Sequence, residues 1–446
     1  MLSRVTALSV NLVQRYLPSP FVFAILLTLF VLLFSMLGTG QSLPQMAQHW
    51  GTGFWGLLTF AMQMALVLVT GHVLANAPVV SRQLDNLASM ARTPGQAIIM
   101  VTLVALAGSW INWGFGLVVG AVLARALARQ VKGVHYPLLV ASAYSGFLVW
   151  HGGLSGSIPL SLASGGADLQ RMTAGVLSAP IGVEHTLFTT LNLSIVALLV
   201  IGLPLLNRAM LPATPIVADP ELLKEPEPVV VPRDTLAQRL DDSRILGWLL
   251  VAVAAVYFVY YFMANGFALT LNIVIGLFLF FGLLLHGSPE RYMRAVQESI
   301  GGISGIVIQF PFYAGIMGMM VGANTEGISL GKQMTDAFVG WSTADTFPML
   351  AFLSAGLVNF FVPSGGGQWA VQGPIMLPAG QALGVAPEVT AMAIAWGDAW
   401  TNMIQPFWAL PLLAIAGLGA REIMGYCLLM LLYSGVVISA CFYFLT

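Results

Sequence analysis

Apolar stretches of about twenty residues follow one another along almost the whole chain, and few folds accept that pattern, because a bilayer core of about 30 Å takes roughly 20 apolar residues per helix. Clean stretches cover 19–39, 54–76, 186–206, 245–264, 268–286 and 422–444. Four further regions, 95–129, 136–164, 346–380 and 388–418, are long but interrupted near their middles by Gly, Pro, Asn or Ser. Residues 300–322 form a glycine-rich span carrying Gln309 and Pro311. Only 8% of the 446 residues are charged, against about 25% in soluble domains, too few to cover an aqueous surface. The pattern predicts an all-α polytopic membrane protein. Seventeen Lys and Arg nearly balance eighteen Asp and Glu, so no basic surface offers itself to phosphates and no nucleic-acid partner is expected. Cys427 and Cys441 share one apolar stretch, where a common helix holds them too far apart to bridge. Neither a disulfide framework nor a zinc site is expected. Met1–Pro20 mixes apolar residues with Arg4, Asn11, Gln14 and Arg15 and reads as an interfacial helix rather than a cleaved signal.

Basic loops stay cytoplasmic, so the Lys and Arg positions set the topology. Arg4 and Arg15 precede the first span and place the N-terminus inside; Arg82 and Arg92 follow the second. Arg125, Arg129 and Lys132 follow region 95–129, which puts both of its ends on the cytoplasmic side. Two limbs that short predict a re-entrant hairpin with Trp110–Gly116 at its tip. Region 136–164 then crosses outward and 186–206 returns. The segment 211–244 holds six prolines and eleven of the thirty-five charged residues and reads as a solvated cytoplasmic linker. Helix 245–264 crosses outward, 268–286 returns, 300–322 crosses outward, 346–380 forms a hairpin opening from outside, 388–418 crosses inward to Arg421, and 422–444 crosses outward, leaving the C-terminus outside. Fifteen basic residues then face the cytoplasm, and Arg171 and Lys332 do not. The result is about nine membrane spans plus two re-entrant hairpins.

The order span, span, hairpin, interrupted span, span occurs twice, in 1–210 and in 268–446, and the linking helix 245–264 turns the second copy over. Ala143–Leu160 and Ala395–Leu412 echo each other: both are eighteen residues long, begin Ala-aromatic and end Pro-Leu. Inverted repeats of this kind build carriers that bind substrate at mid-membrane between broken helices.

Unwound backbone at membrane depth survives only inside protein or beside a water-filled cavity, so the breaks mark the candidate site. The first tip offers Asn112, Trp113, Gly114 and Gly116; the second offers Pro363, Ser364, Gly365, Gly366, Gly367 and Gln368. Glycine amides and helix N-termini there form an anion receptor that needs no basic side chain, although the same glycines also serve tight turns and close packing. The interrupted spans add His151 and Ser155 in the first copy, and Asp398, Thr401, Asn402 and Gln405 in the second. Polar groups at such depth are costly and usually functional. Helical spacing sets 398, 401, 402 and 405 on one face. Asp398, with Thr401 and Asn112, is the candidate for ligating a coupling cation or carrying a proton, unless it is a structural acid. Trp396, Trp400, Phe407 and Trp408, with Phe310, Phe312 and Tyr313, supply apolar walls or packing. No P-loop, HExxH, CxxC or G-x-S-x-G motif occurs, so neither an enzyme nor a cofactor is expected.

Asn112–Ala121, Gln309–Ile316, Val362–Trp369 and Gln405–Gly419 closely resemble the short-chain fatty acid transporter family of bacteria, and the resemblance runs over essentially the whole chain. It implies an inner-membrane carrier for short-chain fatty acids such as butyrate or acetoacetate, within an ion-transporter superfamily of dimeric elevator carriers. A homodimer in the lipid bilayer is the implied assembly. Coupling to Na⁺ or to H⁺ is left open: carbonyl-rich breaks favour Na⁺, Asp398 and His151 favour H⁺. A dicarboxylate or amino-acid carrier, or a monocarboxylate channel, is the alternative.

Overall fold

The computed structural model describes residues 20–223, 234–359, 362 and 364–446. The expected interfacial helix at 1–19 and Pro363 of the second tip lie outside them. Among the described residues the chain is helical throughout, without a strand.

The first part runs α1 (Pro20–Thr39), α2 (Leu43–Phe54), α3 (Leu58–Ala75), α4 (Pro78–Ala88), α5 (Pro94–Ile111), α6 (Trp113–Gln130), α7 (Tyr136–Ser145), α8 (Ser157–Ser164), α9 (Gly166–Met172) and α10 (Thr190–Ala209). After the linker come α11 (Leu236–Asp241), α12 (Arg244–Asn265), α13 (Leu271–His286), α14 (Pro289–Ser299), α15 (Ser304–Val321), α16 (Leu330–Trp341), α17 (Phe347–Asn359), α18 (Gly365–Ala382), α19 (Pro387–Thr401), α20 (Pro406–Ala416) and α21 (Ala420–Leu445). Among the described residues, five helical stretches are long and apolar enough to cross a membrane: Leu58–Ala75, Pro94–Ile111, Thr190–Ala209, Leu236–Asn265 and Ala420–Leu445.

Helices α5 and α6 lie side by side as a hairpin, with Asn112 alone between them. The interrupted stretches fall where the glycines stand. Helix α7 and a 3-10 turn at Gly146–Val149 give way to irregular chain before α8, and α19 and a 3-10 turn at Asn402–Ile404 give way at Gln405 before α20. Limb α17 leaves its own second limb largely aside and packs along α19, as α5 packs along α7 and its 3-10 turn. Pro311 bends nothing into a break, since α15 runs through it.

Two features depart from the hydropathy reading. Helices α2, α4, α14 and α16 are short and two-faced, and they occupy segments read as loops or, at Phe54, as the start of a span. Their apolar residues recur at helical spacing, but each averages too polar to register as a span. The linker is also partly docked rather than solvated. Ile216 N–H donates to Nδ1 of His135 (2.8 Å), while Tyr136 N–H donates to Ile216 O (2.8 Å). Burial lowers the His135 pKa below the ordinary imidazole value, which keeps Nδ1 free to accept. At the other end, buried Asp242 accepts from Ser288 Oγ (2.7 Å) and Arg291 Nε (3.1 Å).

Close helix contact carries the α17–α19 packing. A Cβ on Gly397 would run into the carbonyl of Phe352 and the Ala355 methyl. Gly397→Leu is therefore expected to destabilise the protein by about 1–3 kcal/mol, as overpacking does, seen as a lower unfolding midpoint in detergent. Gly340→Ala, with open space around it, should leave the midpoint within error.

Candidate functional site

The break between Val149 and Ser157 is the floor on which both hairpins rest. Asn112 caps α6 by accepting the Phe115 N–H (3.0 Å), which explains an Asn at that point. The next amide, Trp113 N–H, donates to Ser155 Oγ (3.0 Å), and Leu154 N–H donates to Trp110 O (2.7 Å). Ser155 thus ties the first tip to the first break. Ser364 caps α18 through the Gly367 N–H (3.4 Å). Gly365 sits against the ring of His151, Ser157 Oγ and the Trp150 indole, so closely that any Cβ would collide with them.

The glycines expected to offer open amides are packed hard. Gly366 lies on Phe60 and Phe310, Gly367 on the Tyr313 ring, Gly116 on Ser109 of the opposite limb, and Gly114 on the backbone of Leu68. Their first visible role is close approach; Gly365, Gly366 and Gly367 also form the first turn of α18.

In the second broken helix, α-helical geometry ends at Thr401 and passes into the 3-10 turn at Asn402–Ile404, so 398, 401, 402 and 405 do not share one face as the spacing predicts. Thr401 Oγ1 donates to Gly356 O (2.9 Å) and accepts from Asn359 Nδ2 (2.9 Å). Asn359 Nδ2 also donates to Asp398 O (2.7 Å), and Gln405 Nε2 donates to Asn359 O. These two residues look toward α17. Asp398 and Asn402 look toward the first break. Nε2 of His151 lies 3.2 Å from Oδ2 of Asp398, both side chains fully buried; the approach is close enough for charge pairing, although the N–H points off the hydrogen-bond line. Trp150 Nε1 donates to Asn402 Oδ1 (3.0 Å), and Tyr144 OH to Asn402 O (2.6 Å). Gln368 Nε2 donates to Ala355 O (2.8 Å) and Gln372 Oε1 (2.9 Å).

Several buried polar atoms at this centre have no hydrogen-bond partner: His151 Nδ1, Ser157 Oγ, Asp398 Oδ1, Asn112 Nδ2, Asn359 Oδ1 and Gln368 Oε1. Beside them Trp113, Phe147, Trp150 and Trp408 form a buried aromatic nest with ring centroids 5.4–6.3 Å apart. Of the other aromatic residues, Trp396 donates to Asn192 Oδ1 (3.0 Å), Trp400 to Leu431 O (2.8 Å), and Phe312 packs on Trp50 and Phe54. The Phe407 side chain lies outside the described residues. A cavity of about 780 Å³ opens between α2 and the end of α15, beside Arg171, and one of about 570 Å³ between the end of α3 and the base of α6, beside Arg125 and His72. Neither is lined by His151 or Asp398.

Ser157, Asn359, Trp150 and Asn192 were not singled out from the sequence. Asn192 Nδ2 closes the first break by donating to Gly152 O (3.0 Å) and Leu187 O (2.8 Å). The available signal was the one used elsewhere, a lone amide or hydroxyl inside an apolar run.

Fold and site together define an all-helical membrane protein with a polar centre between two interrupted helices. The YdaH transporter of Alcanivorax borkumensis shares the fold, with a TM-score of 0.61 and 15% identity over 96% of this chain and 97% of that one. The model of the family "Short chain fatty acid transporter" matches residues 1–445, and the chain belongs to that family. It is 46% identical over 442 residues, 98% of each chain, to a protein of Escherichia coli (strain K12), and 44% identical over the full length to one of Haemophilus influenzae. Both bear the name "Putative short-chain fatty acid transporter".

Asn359 joins α17 to α19 by donating to Asp398 O and Thr401 Oγ1, and its backbone oxygen accepts from Gln405 Nε2 in the second break. Asn359→Ala removes the two donated side-chain bonds, and a loss of about 1–3 kcal/mol is expected, read as a lower detergent unfolding midpoint; an unchanged midpoint would contradict these bonds.

Proposed function

We propose that this protein is a secondary active carrier that takes up short-chain monocarboxylates, butyrate and acetoacetate among them, across the bacterial inner membrane with a coupling cation. The observation that carries the reading is the set of unpartnered buried polar atoms, His151 Nδ1, Ser157 Oγ and Asp398 Oδ1, beside the first turn of α18 and next to an aromatic nest. Unsatisfied polar groups at such depth are costly, and a small amphipathic acid meets both halves of the environment. Its carboxylate takes donors from the Ser157 hydroxyl, the imidazole and the amides that open α18; its short tail lies on Trp113, Trp150 and Trp408. The names of the two full-length relatives point to the same substrate class.

The carrier reading draws on internal symmetry. Helix α1, short α2, α3, short α4, a hairpin, a broken helix and α10 are matched in order by α13, short α14, α15, short α16, a hairpin, a broken helix and α21. In each echo an α-helix passes into a 3-10 turn, and Trp150 and Asn402, which hold the same position in the two eighteen-residue echoes, bond to each other. Along α3 the second tip touches Phe60 and the first touches Gly71, about 16 Å apart at 1.5 Å per residue, a separation that fits hairpins entering from opposite faces. On this reading the units 1–210 and 268–446 are inverted repeats joined by the linker 211–244 and α12, the N-terminus is cytoplasmic and the C-terminus outside. Both hairpins and broken helices move as one block in an elevator within a homodimer. A dicarboxylate is disfavoured because the hairpins and broken helices carry Lys or Arg only at Arg125 and Arg129, far along α6 from its tip.

The test is counterflow of labelled butyrate in proteoliposomes, well above the acid's own pKa and against protein-free vesicles, because the neutral acid crosses lipid unaided. Exchange that saturates, and that competes with acetoacetate but not succinate or arginine, is the expected result. Gly365→Val should abolish it, and Ser364→Ala should reduce it several-fold. Exchange equal to protein-free vesicles would overturn the proposal.

A further inference from the structure

The charge balance of the centre rests on two side chains. His151 and Asp398 are fully buried and 3.2 Å apart, and they come from different broken helices. The hairpin limbs and broken-helix segments packed around them carry, as other charged residues, only Arg125, Arg129 and Glu388. These lie at the far ends of their helices, lining cavities that do not reach the pair. The other titratable groups turned toward the region are Tyr144 of α7, Tyr313 of α15 and Cys427 of α21, and a phenol or thiol has no proton to take up near neutrality. Any change of charge within the site therefore falls on the His151–Asp398 pair or on the ligands themselves.

Several of the oxygens around the pair already accept a hydrogen bond. Asn112 Oδ1 accepts from Phe115 N–H, Ser155 Oγ from Trp113 N–H, Thr401 Oγ1 bonds Asn359 and Gly356, and Asn402 Oδ1 accepts from Trp150. Among the described residues no group of three or more His, Cys, Asp or Glu gathers as a metal site. At the pair itself the imidazole Nδ1 and Asp398 Oδ1 have no hydrogen-bond partner, and Ser157 Oγ, Asn359 Oδ1 and Gln368 Oε1 stand open around it.

We propose, building on the carrier reading, that the His151–Asp398 pair is the coupling element and carries one proton with each monocarboxylate. In the empty site a neutral imidazole stands 3.2 Å from the carboxylate, and the pair bears one negative charge. The incoming anion brings a proton from the water on its own side, and this proton bonds to Nδ1. The imidazolium then lies between two carboxylates, that of Asp398 and that of the substrate, and offsets the repulsion that would otherwise exclude the second anion. On the opposite side, Nδ1 gives the proton back to water as the carboxylate leaves, and the pair returns to its starting charge.

Binding and protonation are then reciprocally linked. Isothermal titration of the full-length protein in detergent with butyrate, at one pH in buffers of different ionisation heat, counts the protons taken up. The expected count is about one per butyrate, with Kd rising about tenfold per pH unit on the alkaline side and unchanged when Na⁺ replaces K⁺. Asp398→Asn leaves no carboxylate to hold the imidazolium, and His151→Gln leaves no site for the proton. Either variant should bind without proton uptake and with a Kd flat in pH, so one folded variant suffices. Zero protons with Na⁺-dependent binding in the wild type, or wild-type uptake in both variants, would overturn proton coupling while leaving the carrier reading intact. No butyrate binding and no counterflow would overturn both.

Discussion

A peptide group in hydrocarbon must find a partner within the protein, because no water is there to supply one. This chain interrupts its helices at four deep places, and each interruption is held by another. Ser155 in the first break takes the Trp113 amide of the first tip; Gln405 in the second break takes the Asn359 carbonyl beside the second. Asn192 closes the carbonyl of Gly152, and Asn359 that of Asp398. The two breaks are then joined by Trp150 with Asn402 and by His151 with Asp398. Most polar residues of the centre are consumed in this way. The few polar atoms left over are what makes the place a site rather than a junction.

That distinction sets how much was readable beforehand. The 95–129 hairpin, the interruptions within 136–164 and 388–418 and the burial of Asp398 follow from apolar runs and basic loops, because hydrocarbon thickness fixes the length of a span. The jobs of individual side chains did not follow. Asn112, Ser155 and Gln405 were marked as ligands by their polarity, yet the first demand on each is a cap or a backbone bond. Polarity at depth says that a residue is needed, not by whom. The tip glycines show the same ambiguity, since an open amide and a tight contact require the same missing Cβ. Ser157 and Asn359 escaped notice because a hydroxyl or amide next to an apolar run resembles its neighbours until the partners are known.

The amphipathic helices α2, α4, α14 and α16 and the docking of Ile216 and Asp242 were lost for a different reason. Hydropathy averaged over a span reports burial in lipid, whereas these segments bury one face against protein and are governed by 3.6-residue periodicity and a few specific bonds. Their recovery completes the internal match between the two parts of the chain, which rests on the order of elements more than on the echo of Ala143–Leu160 in Ala395–Leu412.

The central claim is that a small carboxylate completes the hydrogen bonding of the buried junction. Electron cryomicroscopy of the protein in lipid nanodiscs, with and without saturating butyrate, tests it most directly. The account predicts new density within hydrogen-bonding reach of His151 and Ser157 at the start of α18, its tail against Trp113 and Trp408. Density confined to the cavity beside Arg171 or the one beside Arg125, with the junction unchanged, would contradict it.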